Sequence, residues 1–284
     1  MLAQQDPQYT QYMYNTQLIN PAYSGNREVL SFGLLYRTQW VGVEGAPKSA
    51  VFSVNSPVGK LKNMGLGFSA IHDEIGPSKQ TDISVDYSYR IPLSYNTTLN
   101  FGIKAGLDVL SVDFTKLNIY DPSEPKIGAG VYLNSDKWYL GLSAPSILET
   151  KHFERSNNSN FQSVAAERLH FYFIGGYVFD VNESIKFKPA TMLKWVEGAP
   201  LQLDVSANFL FHEKLTLGAA WRWDAAVSVL AGFQIAPELF IGVGYDYQRA
   251  EIEKYSDGSY EVVLRFYVFD KIETSADDAS CRVY

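Results

Sequence analysis

The chain has 284 residues and a formal net charge of −7. This balance, with no basic stripe to neutralise phosphates, argues against a nucleic-acid partner. A single cysteine, Cys281, allows neither a disulfide framework nor a thiolate metal site within one chain. No apolar run reaches the roughly 18 residues that a spanning helix needs.

In chain order, Met1-Leu2-Ala3 before Gln4 reads as the remnant of a signal peptide cleaved after Ala3, against the alternative of an ordinary cytosolic start. Next comes DPQYTQYMYNTQLINPAY, Asp6 to Tyr23. It is rich in tyrosine and side-chain amides, with Asp6 its only charge. It is too polar to span a membrane and holds neither a period of 2 nor one of 3.6.

From there alternation dominates. Ile83, Val85, Tyr87, Tyr89 and Ile91 interleave with Asp82, Ser84, Asp86, Ser88 and Arg90. Phe101, Ile103, Ala105, Leu107 and Val109 run against Asn100, Lys104 and Asp108. Leu203, Val205, Ala207 and Phe209 alternate with Asp204, Ser206 and Asn208, and Ile241, Val243 and Tyr245 with Gly242, Gly244 and Asp246. Period 2 marks strands with two unlike faces. The spacing predicts about fourteen, near 28–39, 48–56, 63–73, 81–91, 97–114, 127–134, 137–144, 168–181, 184–195, 201–212, 214–223, 225–235, 238–249 and 259–269. Nothing between them reads as a long amphipathic helix, which excludes a parallel α/β fold.

Two closed all-β solutions compete. A soluble sandwich or barrel points its apolar face inward. A transmembrane barrel points it at lipid, in segments of about ten residues. Strand length favours the membrane, because soluble strands centre on five or six residues. The polar faces agree: they are rich in Gly, Ser and Asn and poor in the lysine and glutamate of a soluble surface. Connection length agrees as well. WVGVEGAP, HDEIGPSKQ, TKLNIYDPSEP, 145–167 and RAEIEKYSDGS are long and alternate with tight turns, as extracellular loops alternate with periplasmic turns. The short Trp221-Arg222-Trp223-Asp224 connection breaks that rule.

The expected architecture is therefore a transmembrane antiparallel up-and-down β-barrel of about fourteen strands over 27–270. Residues 1–26 precede it as a periplasmic or lumenal segment, and a tail, 271–284, follows. The localisation this implies is the outer membrane, with outer-membrane lipid around the barrel.

W-V-x(0–2)-E-G-A-P occurs twice, from Trp40 to Pro47 and from Trp195 to Pro200. One reading is a recurring turn, with Trp in an interfacial belt, Gly at a special backbone angle and Pro ending the pairing. The other is a pair of outer loops that hold a partner through Trp40, Glu44, Pro47, Trp195, Glu197 and Pro200. The lumen-facing charges are of both signs, Lys186, Lys188, Lys194, Arg222, Glu261 and Arg265 among them. They suit a lumen closed by its own ion pairs or, alternatively, an aqueous channel. His72, His152, His170 and His212 lack metal-ligand spacing, and no GxSxG stands near them. No cofactor is expected, and an enzyme is not.

Blocks spread along the chain resemble the PorP/SprF family of the type IX secretion system of Bacteroidota. They include DPQYTQYMYN, INPAYSG, LYRTQWVGVEGAP, GLGFSAIHDEIGP, GAGVYLNSDKWYLGLSAPSIL, LKWVEGAP, NFLFHEKLTLGAAWRW and GFQIAPELFIGVGYDY. The likeness runs in order from about Asp6 to Phe269. It implies an outer-membrane barrel that works with type IX secretion and carries no catalytic residues. The implied partners are a secreted cell-surface protein, gliding adhesins included, held through its C-terminal domain, and a periplasmic peptidoglycan-binding lipoprotein. The Asp6–Tyr23 strip carries the family's first signature. It is expected to fold back and plug or brace the lumen through Tyr9, Tyr12, Tyr14, Asn20, Pro21 and Tyr23. Docking onto a periplasmic partner is the second choice for it, and a pore for small or hydrophobic solutes is the alternative function.

Overall fold

The computed structural model describes residues 9–114, 117–120, 124–148, 151–152, 165–166, 169–248 and 256–269. The expected signal-peptide remnant, most of the 145–167 and 249–258 connections, and the tail with Cys281 lie outside these residues.

Fourteen strands form the wall. They are β1 Leu30–Thr38, β2 Lys48–Val58, β3 Met64–Ile75, β4 Ser78–Ser94, β5 Thr97–Phe114, β6 Glu124–Ser135 and β7 Trp138–Ala144. β8 His170–Tyr177 continues past a break as Phe179–Asn182. Then come β9 Ile185–Val196, β10 Gln202–Phe211, β11 Leu215–Arg222, β12 Ala226–Ala236, β13 Leu239–Gln248 and β14 Ser259–Val268. Each pairs antiparallel with its neighbours in sequence. β1 pairs with β14 from Leu30–Val268 to Thr38–Tyr260, so the sheet closes on itself. Closure leaves no edge whose backbone groups would meet lipid unpaired. A four-residue strand, Leu117–Tyr120, folds back on the end of β5.

The faces are those that alternation predicts. On β14, Ser259, Glu261, Val263, Arg265 and Tyr267 are buried, whereas Tyr260, Val262, Leu264, Phe266 and Val268 are exposed. β4 and β10 show the same division. Exposed apolar side chains and buried polar ones invert a soluble core, and lipid is the solvent that such an outer surface fits. At the short-turn end, rings follow one another around the outside: Tyr177–Phe179 at 4.4 Å, Phe187–Phe209 at 4.7 Å and Phe209–Phe211 at 6.4 Å. Trp221 and Trp223 stack at 6.3 Å near the opposite rim. Aromatic girdles at both interfaces mark a membrane barrel.

One connection differs from expectation. HDEIGPSKQ is not a loop, because β3 and β4 stay paired up to Ile75–Ser78 around the two residues Gly76 and Pro77. Polar alternation simply continues beyond the apolar band there, so hydrophobicity does not mark the strand ends.

Candidate functional site

The family of turns sets a direction. Tight turns such as 95–96 and 136–137 mark the periplasmic end, and the 39–47 and 197–201 connections the outer end.

Inside the wall runs the strip. Residues 9–29 form three short 3₁₀ turns, Tyr12–Tyr14, Thr16–Leu18 and Pro21–Tyr23, before β1. Asn20 caps the third by accepting a hydrogen bond from the Ala22 amide, and Pro21 supplies the fixed φ at the first position. Thr10, Gln11, Tyr12, Met13, Gln17, Asn20, Ala22 and Tyr23 are all buried. The strip contacts walls on several sides. Thr10 and Gln11 donate backbone hydrogen bonds to Glu261 on β14, at 3.0 and 2.8 Å. Gln17 Nε2 donates to Asp86 on β4 at 3.0 Å, and Asn55 on β2 donates to Gln17 Oε1 at 2.9 Å. Asn20 Nδ2 donates to the Val131 carbonyl of β6, and Ser143 on β7 donates to the Ile19 carbonyl. The amide-rich composition has a physical reason here, because the side chains of Asn15, Gln17 and Asn20 meet buried polar groups of the wall.

Its apolar residues build an inner core. Tyr12, Met13, Ala22 and Tyr23 cluster with Tyr132, Tyr172, Ile174, Met192 and Leu230 of the wall. Leu18 meets Leu35, Val51 and Val263. Glycine makes the close approach possible. A Cβ on Gly65 would fall on the Ser24 carbonyl, and one on Gly102 on the backbone of Pro21 and Ala22.

The strip has a direction. Arg27 and Glu28 lie at the periplasmic end, where Glu28 pairs with Arg90 at 2.7 Å. Thr10 lies near the outer end, against Arg37, Asp246 and Glu261. The chain thus climbs the lumen backwards, from β1 at the bottom to Tyr9 at the top. Tyr9 borders a cavity of about 80 Å³ whose wall includes Asp73, Gln80, Lys126 and Lys194, all toward the outer ends of their strands. With Cys281→Ser as background, Tyr9→Cys is expected to react with a membrane-impermeant maleimide on intact cells. Tyr95→Cys, on a periplasmic turn, should react only after the outer membrane is permeabilised. Labelling of Tyr95→Cys on intact cells, with Tyr9→Cys reacting only after permeabilisation, would reverse this direction.

Toward the middle and outer end of the lumen several charges are paired. Arg37 meets Asp246 at 2.6 Å and Glu261 at 3.2 Å. Lys104 meets Asp86 at 2.9 Å, Lys126 meets Asp82 at 2.5 Å, and Arg222 grips Asp204 with three hydrogen bonds of 3.0–3.1 Å. Arg37, Lys126 and Arg27 were not among the charges that alternation singled out. Arg37 escapes because Leu34 and Leu35 blur the period of β1. Its face shows only once Leu35 is placed opposite Leu18. Among the described residues no group of His, Cys, Asp and Glu could hold a metal ion.

The two W-V-x-E-G-A-P loops sit on opposite walls, between β1 and β2 and between β9 and β10, and they differ. The first is braced. The Val41 amide donates to Gly258, Asp257 donates back to Val41, and Gly76 donates to Gly45 at 2.9 Å. Trp40 is half-buried with φ +49°, Pro47 is buried and Glu44 is exposed. In the second, Trp195, Glu197 and Pro200 are all exposed. Trp195 points to the lipid side, 5.4 Å from Phe171, which is the belt position of the turn reading.

Among solved structures the chain is similar to the outer membrane protein Omp33 of Acinetobacter baumannii. The TM-score is 0.53 at 8% identity, over 85% of this chain and 99% of that one. It is also similar to the CymD monoaromatic hydrocarbon channel, with a TM-score of 0.52 at 9% identity over 89% and 91%. Identities this low speak for the shared fold and for nothing beyond it. No curated protein matches the chain. The model of one sequence family, described as type IX secretion system membrane protein PorP/SprF, matches residues 1–266. That span takes in the strip, all but the end of the last strand of the barrel and both W-V-x-E-G-A-P loops, which places the protein in the outer membrane: the chain belongs to the PorP/SprF family.

Proposed function

We propose that this outer-membrane component of type IX secretion is a non-enzymatic holder of exported protein. Its barrel is a lipid-embedded foundation, its lumen is sealed by the Tyr9–Tyr23 strip, and its outer loops take the C-terminal domain of a secreted surface protein. The observation that carries this reading is the occupied lumen. A wall most of whose inward charges are paired, and whose interior is packed with its own chain, offers contact at its rims rather than passage. Glu44, Glu197 and Pro200 are the loop residues best placed for contact, since all three are exposed at the outer rim. Trp40, Pro47 and Trp195 support the loops. A periplasmic lipoprotein would meet the opposite rim. The pore reading draws on the fold shared with CymD, and the filled lumen weighs against it.

The test is to tag the protein, extract native outer membranes gently and identify co-purifying proteins by mass spectrometry. A stoichiometric secreted protein retained through its C-terminal domain is the expected result. Recovery of the barrel alone, with steady conductance in planar bilayers, would instead establish the pore. Glu44→Lys with Glu197→Lys is expected to cut cargo recovery several-fold, as reversal of rim charges does. Thermal stability should stay within about 0.5 kcal/mol, as for exposed substitutions generally.

A further inference from the structure

The periplasmic end of the lumen carries an unusual concentration of positive charge. Arg27 comes from the strip, Lys188 from β9 and Arg265 from β14, and all three are buried. They share one cage of tyrosines. Arg27 Nε donates to Tyr23 Oη at 2.8 Å and its Nη1 donates to Tyr267 Oη at 2.5 Å. The Tyr267 ring lies between the two guanidinium groups, 5.1 Å from that of Arg27 and 5.2 Å from that of Arg265. Arg265 also faces Tyr14 at 6.0 Å. Lys188 Nζ lies 5.5 Å from the Tyr139 ring, which stacks on Tyr132, which meets Tyr23 edge-on at 5.4 Å. Both guanidinium groups act on Lys188 electrostatically.

Elsewhere in the lumen Arg37, Arg90, Lys104, Lys126 and Arg222 each meet a carboxylate. Here neither Arg27 nor Arg265 does among the described residues; tyrosine rings and hydroxyls are what surround them. Arg265 Nη1 has no hydrogen-bond partner among the described residues, although Arg265 is only 5% exposed. Neutral rings offset part of the charge. They do not offset the mutual repulsion of the two guanidinium groups, and buried charges are otherwise paired.

We infer that this tyrosine-lined cluster of Arg27, Lys188 and Arg265 is a binding site for an oxyanion, of the phosphate, sulfate or carboxylate class, entering from the periplasmic side. Planar guanidinium groups suit such oxygens. Bound there, the anion would tie the strip to β9 and β14 and lock the lower half of the plug. The same chemistry has two sources: a free anion, or the chain's own Asp270, Glu273, Asp277 and Asp278 beyond Phe269.

Thermal unfolding of the full-length protein in neutral detergent, titrated with inorganic phosphate against chloride at equal ionic strength, tests this. A saturable rise in the midpoint with phosphate is expected for the intact chain. Arg265→Gln should lose the response, with apparent affinity falling roughly tenfold or more for one charge-assisted contact. In phosphate-free buffer the same variant should be no less stable than the parent, because one of two adjacent guanidinium charges is gone. Lys188→Met, which keeps both guanidinium groups, should weaken the response without abolishing it. A parent that ignores phosphate, beside an Asp270→Asn, Glu273→Gln, Asp277→Asn, Asp278→Asn variant that responds, would name the tail as the oxyanion source. If neither chain responds to phosphate or sulfate, the site does not exist.

Discussion

Removal of residues 4–23 is expected to turn a silent barrel into a conducting one. In planar bilayers the intact protein should show no steady current, because the strip packs against β2, β4, β6, β7 and β14 and leaves the wall covered. The shortened chain should open a water-filled lumen and lose stability. Burial of side chains such as Met13 and Leu18 contributes about 1.5–3 kcal/mol each. A deletion can misfold, so Gly102→Leu provides an independent route. Its side chain would occupy the space of the Pro21–Ala22 backbone, which cannot yield as a flexible side chain would. The strip should lift from the wall and current should appear. Ala105→Leu, on the exposed face of the same strand, should remain silent. A shortened or Gly102→Leu barrel that inserts normally yet stays closed would show that the strip does not seal the lumen.

The second large effect is expected at Arg37. It is 1% exposed and stands between two carboxylates, Asp246 and Glu261, that also hold Thr10 and Gln11. Arg37→Met leaves two buried negative charges facing each other. The loss should be about 3–5 kcal/mol, as for a buried pair broken by removal of one partner. Urea unfolding in detergent or lipid vesicles reads it. Neutralising the abandoned groups, in Arg37→Met with Asp246→Asn and Glu261→Gln, should restore most of the loss. A cost under about 1 kcal/mol for Arg37→Met, the range of exposed pairs, would mean that water reaches the site freely.

Much of this was legible in the sequence, for a simple reason. Lipid and lumen impose opposite demands on alternate residues, so strands such as Tyr87–Arg90 or Val205–Asn208 announce both their structure and their orientation. Turn lengths added the direction of the barrel. What alternation could not show were contacts that depend on the third dimension. Leu35 and Val263 look like lapses on a polar face until Leu18 is seen between them. Gly65 and Gly102 look like ordinary small residues of a wall, yet they are the room through which the strip passes. The strip itself has no period because it is neither helix nor strand. Each residue answers to a different wall, so the tyrosines and amides of Tyr9–Tyr23 signalled packing without saying where.

Sequence distance gives the seam a kinetic meaning. Thr10 and Glu261 are hydrogen-bonded across 251 residues, and β1 pairs with β14 in the same region. Closing so long a stretch of chain comes with little local help, and non-local contacts of this kind form late. Both partners of the Thr10–Glu261 contact must wait for the last strand to be in place. The occupant of the barrel therefore cannot be fastened at its upper end before the wall exists. The upper end of the strip and the closing seam thus share one late event, the arrival of the last strand.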